Sequence, residues 1–245
     1  MKCRCLGLDN SRYCTGWAVF DIDMPQVVMP VTEIDKKNKK EITVDVNLLP
    51  HITDQELAEG MTLVDYGFID TSSIKEEGHT LDFIHTRFQS IIDVYKPDVI
   101  SAEQMFIGQN RQTGIILAGI HALMKLIAWK HNNIPITYYA IQTMKSTVLD
   151  GLSLKKENGE RKTGDELKKE VADRIFKIFP KSMFIKEITD DVTDAISAAI
   201  TYVKLYGQGV GKQSSDHKQK ASKKKSLDTK VIKKTAKKKT IKKKK

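Results

Sequence analysis

The chain is poor in the residues that cross-link small domains or hold structural metals. It has three cysteines among 245 residues, all within the first 14 positions, and its six histidines are scattered. Three clustered cysteines cannot cross-link a chain of this length, so a disulfide framework is excluded and a reducing compartment is expected. Cys3 and Cys5 point to the same face of a predicted strand. Because no second pair exists, we interpret them as core thiols rather than zinc ligands.

Long apolar runs are also missing. No stretch of about 18 consecutive apolar residues occurs, which argues against a membrane-spanning helix. The apolar segment at the N-terminus is too short for a secretory signal peptide. No internal repeat is apparent along the sequence. We therefore expect a cytoplasmic protein with no membrane partner.

Positive charge is concentrated at one end of the chain. The formal net charge is +10, yet residues 212–245 contain 16 lysines and two aspartates, which leaves 25 basic and 29 acidic residues in residues 1–211. The sequence predicts a folded domain over residues 1–206 and a disordered lysine-rich tail over residues 207–245, because the tail has too few apolar residues to fold alone. Such a tail could solubilise the protein, bind DNA phosphates, or act as a targeting signal if the host is eukaryotic.

Hydrophobic spacing predicts an α/β domain. It predicts strands at residues 3–9, 15–20, 62–70, 98–103 and 135–141, and helices at residues 78–94, 108–131, 142–149, 165–179 and 190–205. Antiparallel strands followed by β-α-β units give a mixed sheet with helices on its faces. Residues 23–60 contain three prolines that interrupt regular structure, although two apolar runs around a lysine-rich turn could form a protruding hairpin. Residues 151–164 are polar and are interpreted as a mobile loop.

Four carboxylates stand where this order of elements would bring them together. Asp9 ends the first predicted strand, Glu103 ends the fourth, and Asp191 and Asp194 share one face at the start of the last helix. Taken singly, each has an ordinary interpretation as a turn former, a solvated strand end or a helix starter. Together they would meet at the sheet edge where ligands usually bind, and their repulsion would require a cation. An oxygen-only set suits Mg²⁺ or Mn²⁺, and two such ions about 3.5–4 Å apart can promote phosphodiester hydrolysis.

Four segments that contain these acids resemble the motifs of RuvC-type Holliday-junction resolvases, the crossover junction endodeoxyribonucleases. Residues 6–17, with the sequence LGLDNSRYCTGW, resemble the first strand and hairpin of that family. Residues 102–106, AEQMF, followed by Asn110, resemble its second acidic motif. Residues 139–148, YAIQTMKSTV, resemble its strand-to-helix segment, and residues 191–201, DVTDAISAAIT, resemble its final helix. The motifs occur in the order of the family, which makes the set specific.

The resemblance implies an RNase H-like fold, with a mixed five-stranded sheet, and a homodimer that resolves four-way DNA junctions by paired symmetric nicks. It implies a metal-dependent endonuclease with two Mg²⁺ ions per site, or Mn²⁺, that leaves a 5′-phosphate and a 3′-hydroxyl. It maps the catalytic, metal-binding acids onto Asp9, Glu103, Asp191 and Asp194. It maps DNA contacts onto Phe106, Lys145 and one further lysine, either Lys162 or Lys168.

Several of these residues also have ordinary interpretations. Phe106 could be a core aromatic, and Lys145 could be an ordinary surface lysine. The long predicted helix carries Gly114, Ala118 and Ala122 beside its apolar stripe, which suits either core packing or a dimer interface. The resemblance favours the interface.

Two features depart from the resemblance. Ser11 stands where the family usually has glycine, and residues 23–60 exceed the usual spacing, so this insert could alter substrate preference. The alternative functions are a broader branched or flap DNA endonuclease, a non-catalytic basic DNA-binding protein, and an ATPase of the actin-like or sugar-kinase fold. The four intact acids argue against the second. The third needs a second glycine-rich phosphate loop and an adenosine pocket, neither of which the sequence indicates. We expect a DNA-associated protein.

Overall fold

The structure is a computed structural model of the chain, and it describes residues 1–24, 27–34, 41–48, 52–105, 111–151, 156, 160 and 162–206. Of residues 27–34, 41–48 and 111–112, only the backbone is described. The predicted tail and most of the predicted loop at residues 151–164 lie outside the described residues. The domain boundary at residue 206 therefore stays a prediction.

A mixed sheet forms the centre of the domain. Its antiparallel half consists of β1 (Lys2–Asn10), β2 (Cys14–Asp23) and β5 (Met61–Asp70). Its parallel half adds β6 (Val99–Glu103) beside β1, and β7 (Ile136–Tyr139) beside β6. The order across the five strands is β5-β2-β1-β6-β7. This confirms the mixed five-stranded sheet that the sequence predicts.

The insert at residues 23–60 contains a hairpin and a short helix. β3 (Val27–Ile34) pairs antiparallel with β4 (Glu41–Leu48) in a separate two-stranded sheet, as predicted. The prediction that Pro30 interrupts regular structure is wrong, because Pro30 lies inside β3 opposite Asp45. Each strand of a two-stranded ribbon has a free edge, so a missing N–H at that edge is tolerated. Helix α1 (Asp54–Gly60) was not predicted; a capping box between Thr53 and Glu56 begins it.

Five further helices lie where the sequence predicts them. They are α2 (Glu77–Tyr95), α3 (Arg111–Lys130), α4 (Ile141–Val148), α5 (Gly164–Ile178) and α6 (Asp190–Leu205). Helix α2 ends at Lys96, which has a left-handed backbone conformation and precedes Pro97. A capping box of Thr163 and Glu166 begins α5, and the Thr189 side chain caps α6. Local capping chemistry therefore sets several of the helix ends.

The helices cover both faces of the sheet. Helices α1, α5 and α6 lie on one face, where Phe20, Ile175 and Ile196 belong to one buried cluster. Helices α2 and α3 lie on the other face, where Phe88 and Ile120 belong to a second cluster. Large apolar side chains on both faces of the same strands explain why the sheet requires both layers.

Helix α3 combines a buried and an exposed apolar face. Over Thr113–Lys130 it is long and apolar enough to cross a membrane by length and composition alone, a test that core helices also pass. Ile116, Ile120, Met124 and Ile127 are buried in the cluster against the sheet. That burial is typical of a helix packed on a sheet, so the predicted lack of a membrane span stays our expectation.

Two glycines allow α6 to lie directly on the sheet. A Cβ atom at Gly7 in β1 would come within 2.1 Å of the Ala195 carbonyl oxygen. A Cβ atom at Gly16 in β2 would come within 2.0 Å of the Asp191 carbonyl oxygen. Only glycine permits such a close approach of two backbones. The first turn of α6 is thereby held beside the carboxyl end of β1.

Candidate active site

Three elements bring the four predicted carboxylates to one end of the sheet. Asp9 lies near the carboxyl end of β1, and Glu103 is the last residue of the parallel neighbour β6, next to the Leu8–Ala102 pair. The residue opposite Asp9 on β2 is Gly16, against which the Asp191 backbone packs. Asp194 follows on the same face of α6. We call Asp9, Glu103, Asp191 and Asp194 the acidic site.

Asp9 lies at the centre of the acidic site, with 8% of its surface exposed. Burial and the negative charges of Glu103, Asp194 and Asp191 raise the pKa of the Asp9 carboxyl far above its usual range. The Asp9 and Glu103 carboxyl groups also share a hydrogen bond. The acidic site therefore carries more negative charge than the neighbouring positive groups neutralise.

Lys145 on α4 neutralises part of the negative charge of the acidic site. Burial raises the pKa of Glu103, and the hydrogen bond from Asp9 and the charge of Lys145 oppose that rise. Burial also raises the pKa of Asp194 to about 6, against the nearby charges of Lys145 and Lys168. The predicted DNA-contacting lysine of α4 thus lies next to two members of the acidic site.

The structure separates the two alternative lysines. Lys168 Nζ lies 3.1 Å from Asp190 Oδ2, and this contact raises the pKa of Lys168, with smaller contributions from Asp194 and Asp191. Lys162 Nζ lies instead 2.7 Å from Glu170 Oε1 on α5. Of the two, Lys168 is the lysine that lies at the acidic site.

Asp190 and Cys14 also lie at the site, although the sequence predicts no role for either. The Cys14 thiol shares a hydrogen bond with Asp191, and burial together with this bond raises the pKa of Cys14 to about 12. The thiol is therefore protonated at neutral pH and can donate to the carboxylate. The sequence does contain a signal for Cys14. Side chains alternate between the two faces of a strand, so Cys14 lies on the same face of β2 as Gly16, which touches α6.

The donor set fits a divalent cation by its chemistry. Within the described residues, no group of three or more His, Cys, Asp and Glu side chains is arranged so that it could hold a metal ion. All four members of the acidic site are nevertheless carboxylates, the ligands that Mg²⁺ and Mn²⁺ prefer. Burial, and after it the negative charge of neighbouring carboxylates, raises the pKa of Asp9 and of Asp194, and a bound cation would offset both effects. Phe106 lies outside the described residues, so its predicted role stays a prediction.

Comparison with known proteins decides the family. The family described as "Crossover junction endodeoxyribonuclease RuvC" matches residues 50–202, which is more than half of the chain. The chain belongs to the RuvC family. It is 27% identical over 143 residues to the crossover junction endodeoxyribonuclease RuvC of Caldicellulosiruptor saccharolyticus, covering 58% of this chain and 76% of that protein. It is likewise 27% identical over 140 residues to the RuvC of Brachyspira hyodysenteriae, covering 57% of this chain and 77% of that protein.

Solved structures of RuvC proteins share the fold. The match to "T. thermophilus RuvC in complex with Holliday junction substrate" has a TM-score of 0.54 at 14% identity, and covers 84% of this chain and 97% of that one. A second Thermus thermophilus RuvC structure matches with a TM-score of 0.53. The predicted RNase H-like fold is thus confirmed, and family membership makes the protein an endonuclease.

The family match includes most of the acidic site but starts after Asp9. Residues 50–202 include Glu103, Lys145, Asp191 and Asp194, whereas Asp9 and the hairpin β3–β4 precede the matched segment of this RuvC-family chain. The roles of the individual residues stay predictions, supported by the geometry described above.

Proposed function

We propose that this protein resolves four-way DNA junctions by paired symmetric nicks, and that Asp9, Glu103, Asp191 and Asp194 hold two Mg²⁺ ions for the cleavage. The observation that carries the proposal is the position of Asp9, which is buried among three other carboxylates. A buried cluster of like charges is costly unless a cation binds there. Mg²⁺ is the expected ion, and Mn²⁺ has the same ligand preference.

The bound ions would activate water and stabilise the leaving oxygen of a phosphodiester. The residues of this chain have separate tasks. The Cys14 thiol and the close packing on Gly16 hold the first turn of α6, and with it Asp191, beside β1 and β2. Lys145 lies near Glu103 and Asp194, where it can pair with a DNA phosphate as well as offset their charge. Phe106, which follows β6 by three residues in the sequence, is proposed as the aromatic that probes the junction.

Lys168 is our choice for the second basic DNA contact. Its Nζ lies 3.1 Å from Asp190 Oδ2 in an exposed pair whose side chains are 44% and 72% exposed. An exposed pair of this kind contributes little to stability, so the lysine can exchange the carboxylate for a phosphate.

The homodimer is proposed to form through the exposed face of α3. Ile115, Leu126 and Trp129 are 64%, 48% and 67% exposed on this face, and Ala118 and Ala122 lie between them. Exposed apolar side chains at helical spacing are unusual on a monomer, and small residues between them allow a second helix to approach. Light scattering should give the mass of a dimer for the wild type, and the mass of a monomer for Leu126→Glu. A monomeric wild type would overturn this interface.

A cleavage assay on three substrates tests the function itself. A synthetic four-way junction, a flap and a linear duplex of the same arm sequences are each incubated with protein and Mg²⁺, or with a chelator. We expect symmetric nicks in the junction with Mg²⁺ alone. Equal cleavage of the flap would favour a broader branched-DNA endonuclease, and binding without cleavage would favour a non-catalytic DNA-binding protein.

A further inference from the structure

The turn between β1 and β2 carries a half-buried arginine and an exposed tyrosine, three and four residues after Asp9 of the acidic site. Tyr13 is 54% exposed, and the guanidinium carbon of Arg12 lies 5.0 Å from the centre of its ring. The turn begins just after Asp9 and ends at Cys14, whose thiol shares a hydrogen bond with Asp191. Since successive Cα atoms are about 3.8 Å apart, this separation of three and four residues means that the Cα atoms of Arg12 and Tyr13 must lie near that of Asp9.

Hydrogen bonds made by the buried Thr71 and the half-buried Ser11 hold the backbone of this turn. Thr71, which is 2% exposed, donates its N–H to the Tyr13 carbonyl at 2.8 Å and its hydroxyl to the Arg12 carbonyl at 3.0 Å. The Ser11 hydroxyl accepts the Cys14 N–H at 3.0 Å and donates to the Cys14 carbonyl. The Arg12–Tyr13 pair therefore extends from a fixed backbone, and binding through it would lose little conformational entropy.

Within the described residues, the Arg12 guanidinium forms no ion pair with a carboxylate. The arginine ion pairs among these residues belong to Arg4 and Arg174. Arg12 instead covers the face of Tyr13, in a turn that begins soon after Asp9 in the sequence. A positive charge that has no ion-pair partner among the described residues is suited to an incoming anion such as a phosphate.

We propose that Arg12 and Tyr13 bind the DNA strand next to the phosphate that is cut, with Tyr13 stacked on a nucleobase exposed at the branch point and Arg12 paired with a backbone phosphate. The proposal rests on the proposed function. Aromatic side chains bind bases by stacking wherever a base is free of its duplex neighbours. Bases already unpaired cost least to unstack, so this contact favours branched DNA over linear duplex.

The chain carries a matched control for this pair. Arg87 lies over the Phe83 ring at 5.2 Å on α2, which packs on the sheet face opposite α6. The chemistry of the two pairs is alike, while their positions relative to the acidic site differ. If substitutions in the Arg12–Tyr13 pair weaken DNA binding and a substitution in the Arg87–Phe83 pair does not, the cause is therefore the position of the first pair.

The test is a binding titration with a four-way junction that carries 2-aminopurine at the crossover, performed in chelator so that no cleavage occurs. Tyr13→Ala should weaken junction binding about tenfold or more, which corresponds to the removal of one stacked base. It should leave binding to linear duplex nearly unchanged and remove the quenching of 2-aminopurine. Tyr13→Phe should restore both signals. Arg12→Ala should lower the slope of log Kd against log salt by about one, and Arg12→Lys should keep that slope.

The outcomes separate this inference from the function on which it rests. Arg87→Ala should match the wild type in every assay. If the wild type cleaves junctions but Tyr13→Ala binds and quenches as the wild type does, the inference is wrong while the proposed function stands. If the wild type neither binds nor cuts branched DNA with Mg²⁺, the proposed function fails and the inference fails with it. Thermal unfolding of each variant shows whether weaker binding is caused by unfolding.

Discussion

At the scale of single residues, Asp9 decides the electrostatics of the site. It is the buried member of the acidic site, whereas Glu103, Asp191 and Asp194 are partly exposed. A buried carboxylate surrounded by like charges opposes folding unless it is neutralised by a proton or a cation. The same arrangement that lowers the stability of the metal-free protein therefore prepares it to bind a divalent ion.

Asp9→Asn should stabilise the protein without Mg²⁺ and reduce the stabilisation that Mg²⁺ provides. In chelator, the variant should unfold at a higher temperature than the wild type at neutral pH, because an amide does not have to take up a proton on folding, as the buried Asp9 carboxyl with its raised pKa does. Addition of Mg²⁺ at about 100 times its dissociation constant should stabilise the wild type by about 2.7 kcal/mol, or several degrees, and the variant by clearly less. Differential scanning calorimetry measures both. Asp23→Asn, at the far end of β2, is the control and should respond to Mg²⁺ as the wild type does.

A second residue-scale prediction concerns the two alternative lysines. Lys168→Ala should reduce the salt dependence of junction binding by about one unit of slope, because one DNA phosphate is then left without its lysine. Lys162→Ala should leave the slope unchanged, since Lys162 is paired with Glu170 away from the acidic site. Fluorescence titrations over a range of salt concentrations measure the slopes. A larger effect from Lys162→Ala would reverse the assignment.

At the scale of elements, the position of α6 on the sheet determines whether the acids meet. Gly16→Ala should therefore harm both stability and cleavage. Its Cβ would lie 2.0 Å from the Asp191 carbonyl oxygen, so α6 must shift away from β2. Overpacking of this kind costs about 1–3 kcal/mol. Chemical denaturation and the cleavage rate are the measurements. Gly164→Ala is the control, since nothing lies within 4 Å of the added Cβ, and it should be neutral for both.

The elements themselves were largely predictable, because strong hydrophobic periodicity covers β1, β2, β5, β6 and most helices. The missed helix α1 is short and follows soon after Pro50, although the capping-box pattern of Thr53 and Glu56 is visible in the sequence. The acids of the site were found from their places at strand ends and at a helix start. The choice between Lys162 and Lys168, and the contact of Cys14 with Asp191, depend on packing between distant segments. No local pattern contains that information.

At the scale of the whole molecule, the lysine-rich segment at residues 212–245 carries the positive charge of an otherwise slightly acidic chain. Its deletion should weaken DNA binding and reduce the salt slope, by about 0.9 for each phosphate that the segment neutralises in the full-length protein. Cleavage at low salt and saturating junction should persist, because the acidic site lies in the folded domain. A salt titration of the full-length and shortened proteins, on junction and on linear duplex, measures this. Identical slopes would leave targeting or solubility as the role of the segment.

The measurement that tests the central claim most directly is the single-turnover rate of cleavage of a four-way junction with Mg²⁺. The wild type is compared with Asp9→Asn, Glu103→Gln and the control Asp23→Asn at saturating protein. If Asp9 and Glu103 hold the ions, each variant should cleave about a thousandfold more slowly, because metal ligation contributes several kcal/mol to the transition state. Junction binding should stay close to that of the wild type, and Asp23→Asn should cleave at the rate of the wild type. Wild-type rates for Asp9→Asn and Glu103→Gln would contradict the account.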